Sequence, residues 1–156
     1  MMQMAEKAIV SNRRARREYF IEETHEAGLV LTGSEIKSVR AGRVNLQDSY
    51  VTIREGEAWL LNSHIAPYQQ ASHQNHEPMR DRKLLLHRHQ INRLAGKVQA
   101  KGYTIVPLRL YLKDNRAKVE IALAKGKKLY DKRDALAKRQ AQRDIERALR
   151  RRELER

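Results

Sequence analysis

Apolar residues alternate strictly on both sides of Asp114-Asn115, a glycine-bearing link joins two further extended runs, and two stretches carry helical periodicity. Together these predict a mainly β fold with added helices: a small antiparallel barrel, closed or nearly closed, of about six short strands with two helices inserted. A strongly basic C-terminal tail follows it.

Residues 1–11 carry no convincing pattern and are read as a flexible leader. Glu18 to Glu26 alternates and holds Tyr19, Phe20 and Ile21, as a strand does; Gly28 punctuates it and Leu29 to Leu31 continue extended. Thr32 stands three before Glu35, the spacing at which each side chain satisfies the other's free backbone amide. With Ile36 and Val39 three apart, Ser34 to Ala41 reads as a short helix ended by Gly42, its other face carrying Lys37 and Arg40 with Arg43 just beyond. Tyr50 to Arg54 and Ala58 to Ile65 read as a hairpin turned by Glu55-Gly56-Glu57. Residues 66–80 are polar, hold two prolines, and read as a long loop. After the apolar run Leu84 to Leu86, the residues Ile91, Leu94, Ala95 and Val98 share one helical face, with Gly102 as C-terminal cap. Thr104, Val106, Leu108, Leu110 and Leu112 face Val119, Ile121 and Leu123 in a second hairpin with one core face. Pro107 lacks a ladder donor, which puts it at an edge or a bulge.

The chain of 156 residues has a formal net charge of +14 and a pI near 10.4. That balance calls for a polyanionic partner, nucleic acid or an acidic membrane surface. No apolar run approaches the roughly 20 residues that span a bilayer. The absence of cysteine excludes a disulfide framework and a thiolate metal site, and fits a cytoplasmic setting. The charge is unevenly spread: residues 125–156 carry 13 basic and 6 acidic groups, whereas residues 21–124 carry 15 and 11. In the tail, Ala137, Ala141, Ile145 and Leu149 form a stripe too narrow and small to bury. The tail is therefore expected to be disordered when free and helical when RNA neutralises it.

No metal, cofactor or catalytic site is expected. His73 with His76 and His87 with His89 lie in or just beyond the polar loop, without the three or four convergent ligands that zinc needs. No nucleophile elbow is present, and the seven glycines are dispersed singly. Glu22 with Glu23, and Glu55 with Glu57, read as solvated surface charges. The basic groups carry more: Arg13, Arg14, Arg16 and Arg17 before the first strand, Lys37, Arg40 and Arg43 on the first helix, then Lys118, Lys125, Lys127 and Lys128. Only 5% of residues are aromatic, and Tyr50, Trp59 and Tyr111 are easily absorbed into strands as core. A basic barrel short of stacking rings reads folded RNA by shape and backbone rather than gripping single strands.

Several runs carry a resemblance. Asn12-Arg13-Arg14-Ala15-Arg16-Arg17-Glu18-Tyr19-Phe20-Ile21-Glu22-Glu23, continuing to Glu26-Ala27-Gly28, is followed by Gly33 to Gly42 and Asn45-Leu46-Gln47-Asp48-Ser49-Tyr50. Arg82-Lys83-Leu84-Leu85-Leu86, Lys118 to Lys128 and Asp131-Lys132-Arg133 complete the set in order. This pattern resembles the SmpB family. The resemblance implies an OB-type barrel over residues 12–124, no enzymatic activity, and binding to the tRNA-like domain of tmRNA for trans-translation on stalled ribosomes. It further implies a cytoplasmic monomer acting with alanyl-tmRNA and an elongation factor, its tail (residues 125–156) entering the empty mRNA channel.

Carried over by position, Asn12, Arg13, Arg16, Glu26, Lys37, Arg40, Arg43, Lys118 and Lys125 form the tmRNA-binding set. Glu26 is assigned to orienting a neighbouring Arg or accepting a hydrogen bond from base or ribose. Gly126, Lys127, Lys128, Tyr130, Asp131, Lys132 and Arg133 are expected to face the decoding region. A generic OB-type RNA-binding or ribosomal protein without a rescue role, and a small RNA-processing enzyme using the loop histidines, stay open on the residues alone.

Overall fold

The computed structural model describes residues 6–70 and 75–154, and side chains within them except at 128–138 and 153–154. Residues 1–5 of the expected leader, and His73, lie outside the described residues.

The elements run β1 (Glu6–Ser11), α1 (Arg13–Glu18), β2 (Tyr19–Leu29), α2 (Gly33–Arg40), β3 (Val44–Asn45), β4 (Tyr50–Arg54), β5 (Glu57–Leu61), β6 (His64–Ile65), β7 (Arg82–Leu85), α3 (Arg88–Lys97), β8 (Tyr103–Lys113), β9 (Arg116–Gly126) and α4 (Lys127–Leu154). The main sheet has the order β1-β8-β4-β5-β7-β2-β9, and a further β8–β9 pairing closes β8 to β9 into a ring that β1 flanks. Strands β8, β4, β5, β7, β2 and β9 thus form a closed antiparallel ring, which removes the open edges of a flat sheet. The expected barrel is present, with β3 and β6 as a separate small ribbon.

Local signals explain the hairpins. Glu55 and Gly56 both have positive φ (53° and 75°), as do Asp114 and Asn115 (50° and 63°), the backbone that two-residue turns need to match strand twist. The Thr32–Glu35 capping box is formed, with Thr32 N donating to Glu35 Oε1 at 2.9 Å. Gly102 does not cap α3, which ends at Val98 in right-handed backbone; Gly102, at φ 89°, turns the chain into β8.

Two expectations are corrected by long-range pairing. Residues 6–11, read as leader, form β1 along the C-terminal half of β8, from Glu6 opposite Lys113 to Ser11 opposite Arg109. Strand β4 takes the other half of the same edge, at Val51 opposite Ile105. The alternation along β8 also does not serve one face. Pro107 sits at a bulge, where the register to β9 shifts between Pro107 and Arg109, and a one-residue shift turns every later side chain over. Ile105, Leu110 and Leu112 therefore enter the barrel core with Val119, Ile121 and Leu123. Val106 and Leu108 instead join Ala15, Ala122 and Ala124 in a second cluster beneath α1.

A charged pair lies inside the fold. Glu35 and Arg82 are fully buried, their side chains 2.5 Å apart, and Arg80 reaches Glu35 at 2.6 Å. Arg82 also donates to Ser63 O, Ser63 Oγ, Glu77 O and Pro78 O, tying α2, the β5–β6 link and the long loop to β7. Burial alone would raise the Glu35 carboxyl. Hydrogen bonds from Arg80, the Thr32 backbone and Arg82 more than offset it and hold the group at about 2. His76, read as part of a solvated loop, is half-buried and bridges Ser34 Oγ at 2.9 Å and Ile65 O at 2.9 Å.

The tail is one helix, α4, of 28 residues. Every described side chain from Arg139 to Arg152 is exposed, Ile145 and Leu149 included, so nothing in the body packs on that half.

Candidate nucleic-acid interface

Helix α1 is too short to stand alone and is fixed at its N-terminal end by Asn12. Asn12 Oδ1 accepts from Ala15 N at 3.2 Å, while Asn12 Nδ2 donates to Leu46 O at 3.1 Å and Pro107 O at 3.0 Å. Asn12, expected on the RNA-binding face, is 4% exposed and its polar atoms are spent on the fold. These contacts place α1. The helix then presents Arg13, Arg16 and Arg17 outward. Arg16 lies 3.7 Å from Glu120, whereas Arg13 and Arg17 have no ion pair among the described residues.

The outer face of β2, β9 and β8 gathers a second group. Strand register sets Glu26 opposite Glu120, Glu120 opposite Arg109, and Lys118 opposite Tyr111. Arg109 binds Glu120 at 3.0 Å and Glu6 at 2.7 Å, and its guanidinium covers the Tyr111 ring at 4.1 Å. The buried Tyr111 hydroxyl donates to Glu26, and Lys113 lies 3.6 Å from the same carboxylate. The Tyr111 hydrogen bond, against an opposing burial effect and with help from Lys113 and Lys118, holds Glu26 below the usual carboxylate range. Burial and the Glu26 contact push the Tyr111 hydroxyl up, so it stays a donor. Glu26 is thus a fixed anionic acceptor held by a tyrosine and a lysine, rather than the orienter of an arginine.

Arg16, Glu26 and Lys118 are accordingly brought together through Glu120 and Tyr111. Lys37, Arg40 and Arg43 form a different group on α2 and its exit. All three are exposed; Lys37 lies over the Tyr68 ring at 5.5 Å, and Arg40 and Arg43 have no carboxylate partner among the described residues. A third group sits at the β9–α4 joint: Lys125 over the Tyr103 ring at 5.5 Å, and Lys127 over Phe20 at 5.2 Å with its Nζ 3.5 Å from Arg16 O. Gly126 precedes this joint; the side chains of Lys128, Tyr130, Asp131, Lys132 and Arg133 lie outside the described residues.

The cations sort into two kinds. Arg14, Arg54, Arg82, Lys83, Arg93 and Arg109 are engaged with carboxylates of the chain itself. Arg13, Arg17, Arg40 and Arg43 have no carboxylate partner among the described residues. Phosphate recognition needs the second kind, and these residues lie on α1, on α2 and at the exit of α2.

The sequence reading missed Arg109 and Lys113 and placed Tyr111 only in the core. The signal was present: if Leu110 and Leu112 face inward, then Arg109, Tyr111 and Lys113 share the other side. Tyr50 is 40% exposed, not core, and Phe20 is 46% exposed. Glu23 is not simply solvated, since it holds Arg93 at 3.0 Å, and Glu57 holds Lys83 at 3.0 Å. Among the described residues no three His, Asp or Glu side chains converge as metal ligands.

Comparisons with known proteins agree on one family. The model of the family described as SmpB protein matches residues 9–151. A protein of Roseiflexus sp. (strain RS-1), named SsrA-binding protein, is 66% identical over 148 residues, covering 94% of each chain. Its namesake from Desulforudis audaxviator (strain MP104C) is 60% identical over 150 residues, 96% of this chain and 98% of that one. Among solved structures, a chain described under "tmRNA-SmpB: a journey to the center of the bacterial ribosome" superimposes with a TM-score of 0.65. It is 49% identical and covers 76% of this chain and 84% of its own.

Proposed function

The chain belongs to the SmpB family, and from that premise we propose that its barrel holds the tRNA-like part of tmRNA while α4 is the segment that enters the ribosome's empty mRNA channel. The protein binds tmRNA, acts in trans-translation on the ribosome, and breaks no bond itself. The observation that carries the division of labour is the exposed half of α4. The described half of α4, cationic and with no apolar partner among the described residues, is stabilised by polyanion, and a channel lined with RNA supplies it.

On the body, Arg13, Arg40, Arg43, Lys37, Lys118 and Lys125 meet phosphates, Arg16 is steered by Glu120, and Glu26 accepts a hydrogen bond from base or ribose. In the tail, Gly126, Lys127, Lys128, Tyr130, Asp131, Lys132 and Arg133 face the decoding region. The protein works as a cytoplasmic monomer alongside alanyl-tmRNA and an elongation factor. No helix among the described residues is long and apolar enough to cross a membrane.

The test is truncation after Gly126. The shortened protein is expected to bind the tRNA-like domain within a few-fold of the full chain and to support no tagging of stalled peptides. If truncation removes tmRNA binding itself, the tail is an affinity anchor and the proposed division fails.

A further inference from the structure

We propose that Arg109 is a positioning residue for tmRNA recognition and that Glu6, on β1, is its anchor: together they fix where Glu26 and Arg16 meet the RNA. The proposal rests on the reading that Glu26 and Arg16 touch tmRNA. Strand register creates the need for such a residue. Glu26 stands directly opposite Glu120, and like charges directly opposite one another destabilise an antiparallel pair. Cations divide the two carboxylates between them. Lys113 lies 3.6 Å from Glu26, while Arg109 donates from Nε to Glu120 Oε2 at 3.0 Å. The other oxygen of Glu120 is 3.7 Å from Arg16, so one carboxylate links Arg109 to Arg16. The Glu26 side chain is 41% exposed and that of Arg16 54%, so both remain open to a ligand.

Arg109 reaches Glu26 as well, through Tyr111. Its guanidinium lies over the Tyr111 ring at 4.1 Å, and the ring beneath it is buried. The hydroxyl of that ring is the group that donates to Glu26. A planar guanidinium can stack on a ring and fork its N–H groups to two acceptors at once, whereas an ammonium offers a point charge. Glu6 keeps the guanidinium from swinging into solvent: Arg109 Nη1 donates to Glu6 Oε1 at 2.7 Å, so the group is held from two sides. Pairing of β1 with β8 brings Glu6 there, opposite Lys113, and sets Ala8 opposite Tyr111, where it adds only a methyl group. Arg109 is itself spent on the chain, with two nitrogens on carboxylates and its face on Tyr111. A residue 103 positions away in sequence thus bears on the RNA face without touching RNA.

The test uses the full chain carrying Arg109→Lys or Glu6→Gln, with Arg93→Lys as control, since Arg93 pairs with Glu23 away from this group. Three quantities are read: affinity for the tRNA-like domain of tmRNA, affinity for an ordinary tRNA, and the NMR titration of the Glu26 carboxyl. Arg109→Lys keeps the charge and loses the fork, so it should weaken tmRNA about tenfold and ordinary tRNA less than about twofold. Glu6→Gln should weaken tmRNA about threefold, although removing an acidic group would by charge alone strengthen RNA binding. In both variants the Glu26 carboxyl should titrate at higher pH as the Tyr111 hydrogen bond loosens; in Glu6→Gln charge alone would move it lower. Arg93→Lys should change none of the three. A merely structural role would lower the melting point and leave the Glu26 titration and the tmRNA-to-tRNA ratio alone. An unmoved Glu26 titration in both variants, or equal losses for the two RNAs, would overturn the proposal. Glu26→Gln separates the underlying reading: unchanged tmRNA affinity there removes Glu26 as an RNA contact, while the carboxyl titration in Arg109→Lys still decides whether Arg109 positions it.

Discussion

Replacing Glu35 by Gln removes one charge from the centre of the α2–β7 network and changes almost nothing else in shape. The amide can still accept from Thr32 N and cap α2, and Arg82 keeps its four acceptors on Ser63, Glu77 and Pro78. What is lost is the counter-charge of a fully buried guanidinium. Burial lowers Arg82, but an arginine remains charged throughout the accessible range, so the carboxylate is the group that titrates. Its shift from 4.5 to about 2, at 1.36 kcal/mol per unit, corresponds to about 3 kcal/mol of stability. Breaking one partner of a buried pair typically costs about 3–5 kcal/mol, the same range by an independent route. Because the folded value is depressed, this stability is fully present above pH 4.5 and is lost as pH falls toward 2. Urea denaturation followed by circular dichroism should therefore show Glu35→Gln less stable by about 3 kcal/mol at pH 7, with a melting point roughly 10 °C lower. Its stability should also fall less steeply than wild type between pH 4.5 and 2. A loss under about 1 kcal/mol at pH 7, or an unchanged acid slope, would refute the assignment of the pair as the stabilising centre of this region.

Three further outcomes follow from the same contacts. Asn12→Ala should lower stability by about 1–3 kcal/mol through the lost cap and two buried carbonyl partners, while tmRNA affinity of the folded fraction falls only as α1 loosens; calorimetry beside filter binding separates these. Tyr111→Phe should release Glu26 toward ordinary carboxylate titration, seen as an upward shift of its carboxyl resonance in a pH series, and reduce discrimination between tmRNA and ordinary tRNA. A peptide of residues 127–156 should be mostly unfolded in dilute buffer and gain helix on adding an RNA duplex, with the gain reversed by salt; a helix that ignores salt would count against polyanion as its partner.

What the sequence disclosed was decided by distance along the chain. The two hairpin turns and the Thr32–Glu35 box depend on residues at most a few positions apart, so their chemistry is visible in a short window. Strand β1 was invisible because its partner on β8 lies about a hundred residues away and its own alternation breaks at an irregularity between Ala8 and Val10. Helix α1 buries only Ala15, too little for periodicity to register. Glu35 was legible as a cap but not as the partner of Arg82, 47 residues on. For the site, charge located Arg13, Arg40 and Arg43, yet charge alone could not separate them from Arg14 and Arg109, which are held by carboxylates of the chain. Asn12 was named for its place in a motif, and only the fold reveals that its amide faces inward.

Strand β9 ends at Gly126 and α4 begins at Lys127, with no loop between them. When RNA holds α4 helical, the barrel wall and the helix are therefore one continuous lever, braced at its fulcrum where Lys127 meets Phe20 and the end of α1. At 1.5 Å per residue the arm is about 42 Å long. Turning the barrel by about 10° carries the far tip through roughly 7 Å, more than a full helical pitch. How the barrel is seated thus dictates where the distant end of the arm lies, and a lubricating insertion of two or three glycines at the joint would uncouple angle from reach.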